Sequence, residues 1–92
     1  MEAKAINELI DTIDPMVSKD YKTRFAAEYA QTRIRYEKLK NFCDRIELAE
    51  VYGTGDAPKH DCPLALLREQ QRCMGMYLGV LEKRAIIEGI IL

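Results

Sequence analysis

From Tyr21 to Glu50 no glycine or proline interrupts the chain. Within that stretch Phe25, Thr32, Leu39 and Ile46 recur every seven residues, interleaved with Tyr29, Tyr36 and Cys43. Alternating steps of four and three are the seam of a helix packed lengthwise on another helix, flanked here by Phe42 and Ala49. Such a helix is about 45 Å long, too long to stand alone in a chain of 92 residues. The spacing predicts a long helix over 16–51 that must lie along a partner.

The partner follows in the same chain. The segment VYGTGDAPKHD carries two glycines and a proline among polar residues, which is turn chemistry. A second long helix is expected over 63–90, with Asp61 as N-cap and Pro63 in its first turn. It bears two adjacent apolar stripes. One is Leu67, Met74 and Leu81, joined by Leu64, Leu78 and Ala85; the other is Leu66, Cys73, Val80 and Ile87. The first stripe suits the seam. The second, like the tail AIIEGIIL, has no covering within the chain, and an uncovered apolar stripe marks a self-association surface. Gly75 and Gly79 are anomalous, since each costs about 1 kcal/mol relative to alanine inside a helix. Four residues apart, they share one side, where a second helix or a flat ligand can approach bare backbone.

Residues 2–13 are expected to form a short N-terminal helix, with Ile6, Leu9, Ile10 and Ile13 on one face. Asp14-Pro15 is expected to end it, and Asp14, Ser18 and Asp20 are alternative caps for the long helix that follows. The predicted architecture is all-α: one domain over 1–92, an antiparallel helical hairpin of two long helices with a short N-terminal helix. A chain this small and elongated needs a partner to complete its core, so a homo-oligomer is expected.

The net charge of −1 is unevenly spread. Residues 1–20 hold Lys4 and Lys19 against Glu2, Glu8, Asp11, Asp14 and Asp20, whereas 22–45 hold seven cations against Glu28, Glu37 and Asp44. A basic helix in a near-neutral chain suits a few local phosphates, not duplex nucleic acid. Three widely spaced cysteines give no disulfide framework, which points to a reducing cytoplasm. The N-terminus lacks the layout of a signal peptide, and no apolar run reaches membrane-spanning length.

No enzyme constellation is evident. His60 stands beside Asp61 and Cys62, but consecutive residues do not converge as a triad must, and no metal-ligand spacing involves them. No cofactor is expected. What remains is a basic helix bearing tyrosines, in which arginine supplies bidentate phosphate contacts and tyrosine a flat face for a base. In an antiparallel hairpin Tyr36 falls roughly opposite Tyr77, and Tyr21, Lys22 and Arg24 fall near Arg84. The candidate ligand-binding residues are therefore Tyr21, Lys22, Arg24, Arg33, Tyr36, Tyr77 and Arg84. The competing reading makes the tyrosines seam residues and the arginines a solvated face with Glu28, Glu37 and Glu82.

The stretch EYAQTRIRYEKLKNF, with Glu28, Tyr29, Arg35, Lys38, Leu39 and Phe42, is followed by Leu66, Leu67, Gln70, Met74, Tyr77, Leu78, Leu81 and Arg84. This two-part pattern, over roughly residues 24–86, resembles a family of small phage helical-hairpin proteins first annotated from crAss-like phages. The Gly75 and Gly79 pair departs from it. In architecture alone the chain is similar to phage hairpins that oligomerise and sequester cyclic-nucleotide signals of the CBASS and Thoeris defences. The resemblance implies a non-enzymatic anti-defence protein of the host cytoplasm. Its ligand would be a cyclic oligonucleotide or ADP-ribose-derived signal held between protomers. No binding residue is carried over from those hairpins. The alternative is a protein-binding hairpin that blocks or bridges a host or virion protein.

Overall fold

The computed structural model describes residues 6–92, and every regular element in them is helical. A 3-10 turn, Leu9–Thr12, runs directly into a one-turn helix α1, Ile13–Met16; the long helices are α2, Tyr21–Glu50, and α3, Leu64–Glu88.

The N-terminal segment departs from expectation. Residues 2–5 of the helix expected over 2–13 lie outside the described residues, and from Leu9 onward the winding is 3-10 and then α. In a 3-10 turn side chains three apart eclipse. Leu9 and Thr12 therefore point inward together, with Thr12 buried, while Ile10 and Ile13 are both exposed. Pro15 does not end the helix. It sits in the first turn of α1, where backbone N–H groups have no intrahelical acceptor and a missing one costs nothing. The segment packs on α2 and not on α3, which accounts for the burial of Ala27 and Ala30 on the side of α2 away from the seam.

The first long helix starts at Tyr21, later than the expected 16, because Asp20 caps it. The Asp20 carboxylate accepts from the Thr23 backbone N–H at 3.2 Å and from the Thr23 hydroxyl at 2.8 Å. These bonds hold the Asp20 carboxyl below its ordinary pKa. At the other end of the hairpin Pro63, not Asp61, occupies the N-cap position of α3, and no side chain caps that terminus.

The seam is as the heptads require. Phe25, Thr32, Cys43 and Ile46 are buried, and Tyr29, Tyr36 and Leu39 are half-buried. From α3, Leu78, Leu81 and Ala85 are buried against them. Three contacts fix the antiparallel register: the Tyr29 hydroxyl donates to Glu82 at 2.7 Å; Tyr36 lies against Gly75; and Arg68 donates to Asp44 and Glu47, each at 2.9 Å. The α3 terminus closes on Gly89 in the left-handed region, with φ 68°. Ile90 N–H then bonds the Ala85 carbonyl at 2.8 Å, and the Ile90 side chain joins Phe25, Leu81 and Ala85 in the core. This is a Schellman-type close, in which the residue after the glycine packs back on the helix.

The molecule measures 49 × 25 × 18 Å, with a radius of gyration of 16.1 Å, against about 12 Å for a compact domain of this length. The elongation leaves the second apolar stripe of α3 bare. Leu66 is 58% exposed, Val80 52% and Ile87 83%, and Met76 beside them 62%. Cys73 is exposed as well. Among the described residues no helix is long and apolar enough to cross a membrane.

Candidate functional site

The α2–α3 interface has two edges, and the candidate residues divide between them. On the first edge Arg84 stacks on the Phe25 ring, 4.8 Å from its centroid. Its guanidinium donates to both carboxylate oxygens of Glu88, at 2.7 and 3.3 Å. Arg84, with the Tyr21 hydroxyl and Lys22 beside it, holds the Glu88 carboxyl below its ordinary range, and Glu88 in turn pushes the Arg84 pKa up. Two turns back along α3, the Tyr77 hydroxyl donates to Glu28, which also lies within electrostatic reach of Arg84. Tyr21, Lys22, Tyr77 and Arg84 thus share one continuous polar edge, held in place by Glu28 and Glu88.

The second edge holds Tyr29 with Glu82 and Tyr36 with Gly75. Gly75 and Tyr77 are about 200° apart around α3 at 100° per residue. Tyr36 and Tyr77 therefore lie on opposite edges and do not form the facing pair expected from chain counting. A Cβ on Gly75 would come within 3.3 Å of the Tyr36 ring, whereas one on Gly79 meets nothing within 4 Å. Gly75 accordingly admits a side chain of this hairpin, and Gly79 faces open space. The Tyr29 hydroxyl is pushed up in pKa by its bond to Glu82.

Arg24 and Arg33 stand apart from the polar edge. Arg24 donates to the Ser18 carbonyl at 2.6 Å, tying the connection after α1 to the start of α2. Arg33 faces Glu37 at 4.0 Å and lines a shallow depression with Asn7, Lys38 and Asn41. Lys22 also borders a cavity of about 500 Å³ between the N-terminal segment, the start of α2 and the C-terminal tail. That cavity combines Ile10, Ala26 and Ile90 with the carboxylates of Asp11, Asp14 and Asp20, so its charge opposes an anion. The positive end expected from the sequence is partly neutralised: Arg84 pairs with Glu88, Arg24 with the Ser18 carbonyl, and Lys22 lies within electrostatic reach of Asp20 and Glu88.

Sequence reasoning missed Glu88, and it placed Glu28 only on a solvated face, not against Tyr77. Glu88 was findable, because it stands four residues after Arg84 and such pairs meet on a helix. The Glu28–Tyr77 bond joins residues 49 apart in the chain and leaves no local signal. An anion reaching the first edge must displace Glu88 from Arg84. Arg84 already presents paired N–H donors to one carboxylate, which is the geometry a phosphate uses, with two tyrosines alongside.

The profile of the Sequestin family matches residues 19–87. The chain belongs to the Sequestin family. The match spans α2, the connection and nearly all of α3, the same hairpin that carries the sequence resemblance. The N-terminal 3-10 turn and α1 lie outside the Sequestin match. The name Sequestin points to a sequestering role. Comparison with curated proteins and with solved structures gave no match.

Proposed function

We propose that the protein is a non-enzymatic, phage-encoded anti-defence protein that binds a cyclic nucleotide-type immune signal and withholds it from its receptor. The family match over the whole hairpin is the observation that carries this reading. The chemistry of the first edge supports it. Tyr21, Lys22, Tyr77 and Arg84 combine flat faces with cations beside the uncovered stripe of α3, so a second protomer docking there closes a pocket over them. Arg84 is the principal phosphate contact and Tyr77 the stacking platform. Arg24 acts from the margin; Arg33 and Tyr36 serve the opposite edge.

Isothermal titration with cyclic di- and trinucleotides and with cyclic ADP-ribose isomers tests the reading. Micromolar or tighter binding of one of them, weakened at least tenfold by Arg84→Ala, is the expected result. No heat from any of them, together with a native mass spectrum free of co-purified small molecule, overturns it. The exposed apolar stripe favours a second reading, a hairpin that blocks or bridges a host or virion protein. A pull-down that recovers one stoichiometric protein, with no small molecule, decides for that alternative.

A further inference from the structure

The stripe Leu66, Cys73, Val80 and Ile87 is evenly spaced at seven residues, so its midpoint falls between Met76 and Tyr77. The two rows beside it share that spacing. Glu69, Met76 and Lys83 run along one side, and Gln70, Tyr77 and Arg84 along the other. Reversing the helix about the midpoint exchanges Leu66 with Ile87 and Cys73 with Val80. To within one residue it also exchanges Glu69 with Lys83 and Gln70 with Arg84. The apolar stripe therefore matches its own antiparallel copy in spacing, and one flanking row sets Glu69 against Lys83.

We infer that two copies of this chain pair antiparallel through α3, about a two-fold axis that passes between Met76 and Tyr77. Across a two-fold axis the same patch meets itself, and like edges of antiparallel helices adjoin. Leu66 then covers the partner's Ile87, and Cys73 covers the partner's Val80. Glu69 faces the partner's Lys83 on one side. On the other, Gln70 faces the partner's Arg84, and Tyr77 meets the partner's Tyr77 near the axis. In the single chain Glu69 meets Arg72 at 3.2 Å, with both side chains largely exposed. Such a pair contributes little and is readily exchanged.

Competing arrangements are worse on the same residues. Parallel pairing sets unlike edges together, so Glu69 meets only the partner's Gln70 while Lys83 lies against the partner's Arg84, and like charges repel. An antiparallel axis at Cys73 carries Ile87 past the start of the partner's α3, and one at Val80 carries Leu66 past the Glu88 end of the partner's α3. Only the axis between Met76 and Tyr77 covers all four stripe residues. The pairing deepens the sequestration reading, since it builds the wall between protomers beside Tyr77 and Arg84. Its own test needs no ligand.

Val80 is exposed, so Val80→Cys leaves the core intact, and the native Cys73 is the intended partner. Under mild oxidant on a non-reducing gel, Val80→Cys is expected to shift from monomer to covalent dimer. Wild type and Val80→Cys/Cys73→Ser are expected to stay at monomer mass, and reductant is expected to reverse the shift. By light scattering, Glu69→Lys is expected to lose the dimer and Glu69→Lys/Lys83→Glu to regain it. A wild-type dimer linked through Cys73 itself, a Val80→Cys protein that stays monomeric, or linkage undiminished by Cys73→Ser overturns the proposal. A Val80→Cys dimer that binds no nucleotide keeps the pairing and sinks sequestration; nucleotide binding without the cross-link sinks only the pairing.

Discussion

At the scale of single residues the two helical glycines separate cleanly. Gly79 has nothing within 4 Å of an added Cβ, so Gly79→Ala is expected to gain most of the helix-propensity difference, about 1 kcal/mol. Gly75→Ala must push the Tyr36 ring aside from 3.3 Å and is expected to gain less or to lose. Urea midpoints of the two variants check this, and a larger gain at Gly75 contradicts the packing assigned to Tyr36. His60 supplies a second test. Its Nδ1 lies 2.7 Å from the Cys62 carbonyl and its Nε2 3.2 Å from the Glu50 carboxylate, while its ring stands edge-on to Phe42. The protonated ring donates to both oxygens, and the Cys62 carbonyl first and Glu50 second raise its pKa above 6.5. A raised native pKa contributes stability that is complete below the unfolded value and lost as the pH rises through the native one. His60→Ala is therefore expected to lower the melting temperature clearly at pH 5.5 and by much less at pH 8.5. An equal drop at both pH values shows that packing against Phe42, not the charge, fixes the ring.

Among elements, the two long helices were legible because period and punctuation agreed. The seam from Phe25 to Ile46 and the inner stripe of α3 are buried or half-buried where the heptads put them, with Leu78, Leu81 and Ala85 buried and Leu64, Leu67 and Met74 half-buried, and the turn falls in the glycine-bearing segment. What the sequence concealed depends on winding or on contacts distant in the chain. Ile6, Leu9, Ile10 and Ile13 fit an α-helical face, but 3-10 winding rotates Ile10 and Ile13 outward and brings Thr12 in. Asp14 and Pro15 read as a stop because proline constrains its predecessor, yet the first turn of α1 accommodates both. The candidate site was legible as composition and not as geometry. Arginine and tyrosine mark the surface of α2, but which edge each one joins depends on angle around the helix and on acceptors such as Glu28. The α3 terminus carries the prediction at this scale. Gly89 adopts φ 68°, and its left-handed turn sends Ile90 back into the core. Gly89→Ala is expected to cost about 1 kcal/mol through the strain of a Cβ in that region, with a matching shift in the urea midpoint. An unchanged midpoint means that the turn does not hold Ile90 in the core.

For the whole molecule, shape decides. A hairpin 49 Å long and 18 Å across has one buried seam, and each long helix has only one other long helix to cover it. The N-terminal segment covers the back of α2, whereas the second stripe of α3 stays bare, so the chain is one layer short on that side. If a second copy supplies the layer, folding and association are linked, and stability depends on protein concentration by mass action. The melting temperature of the wild type is then expected to rise measurably between 2 and 200 μM protein (roughly, as linkage requires). Val80→Asp places a charge in the middle of the stripe while touching nothing in the core. It is expected to melt at one temperature throughout that range and near the low-concentration wild-type value. Differential scanning fluorimetry across the dilution series reads both. A wild-type midpoint independent of concentration, with Val80→Asp unchanged from it, means that the bare stripe is tolerated by an isolated hairpin.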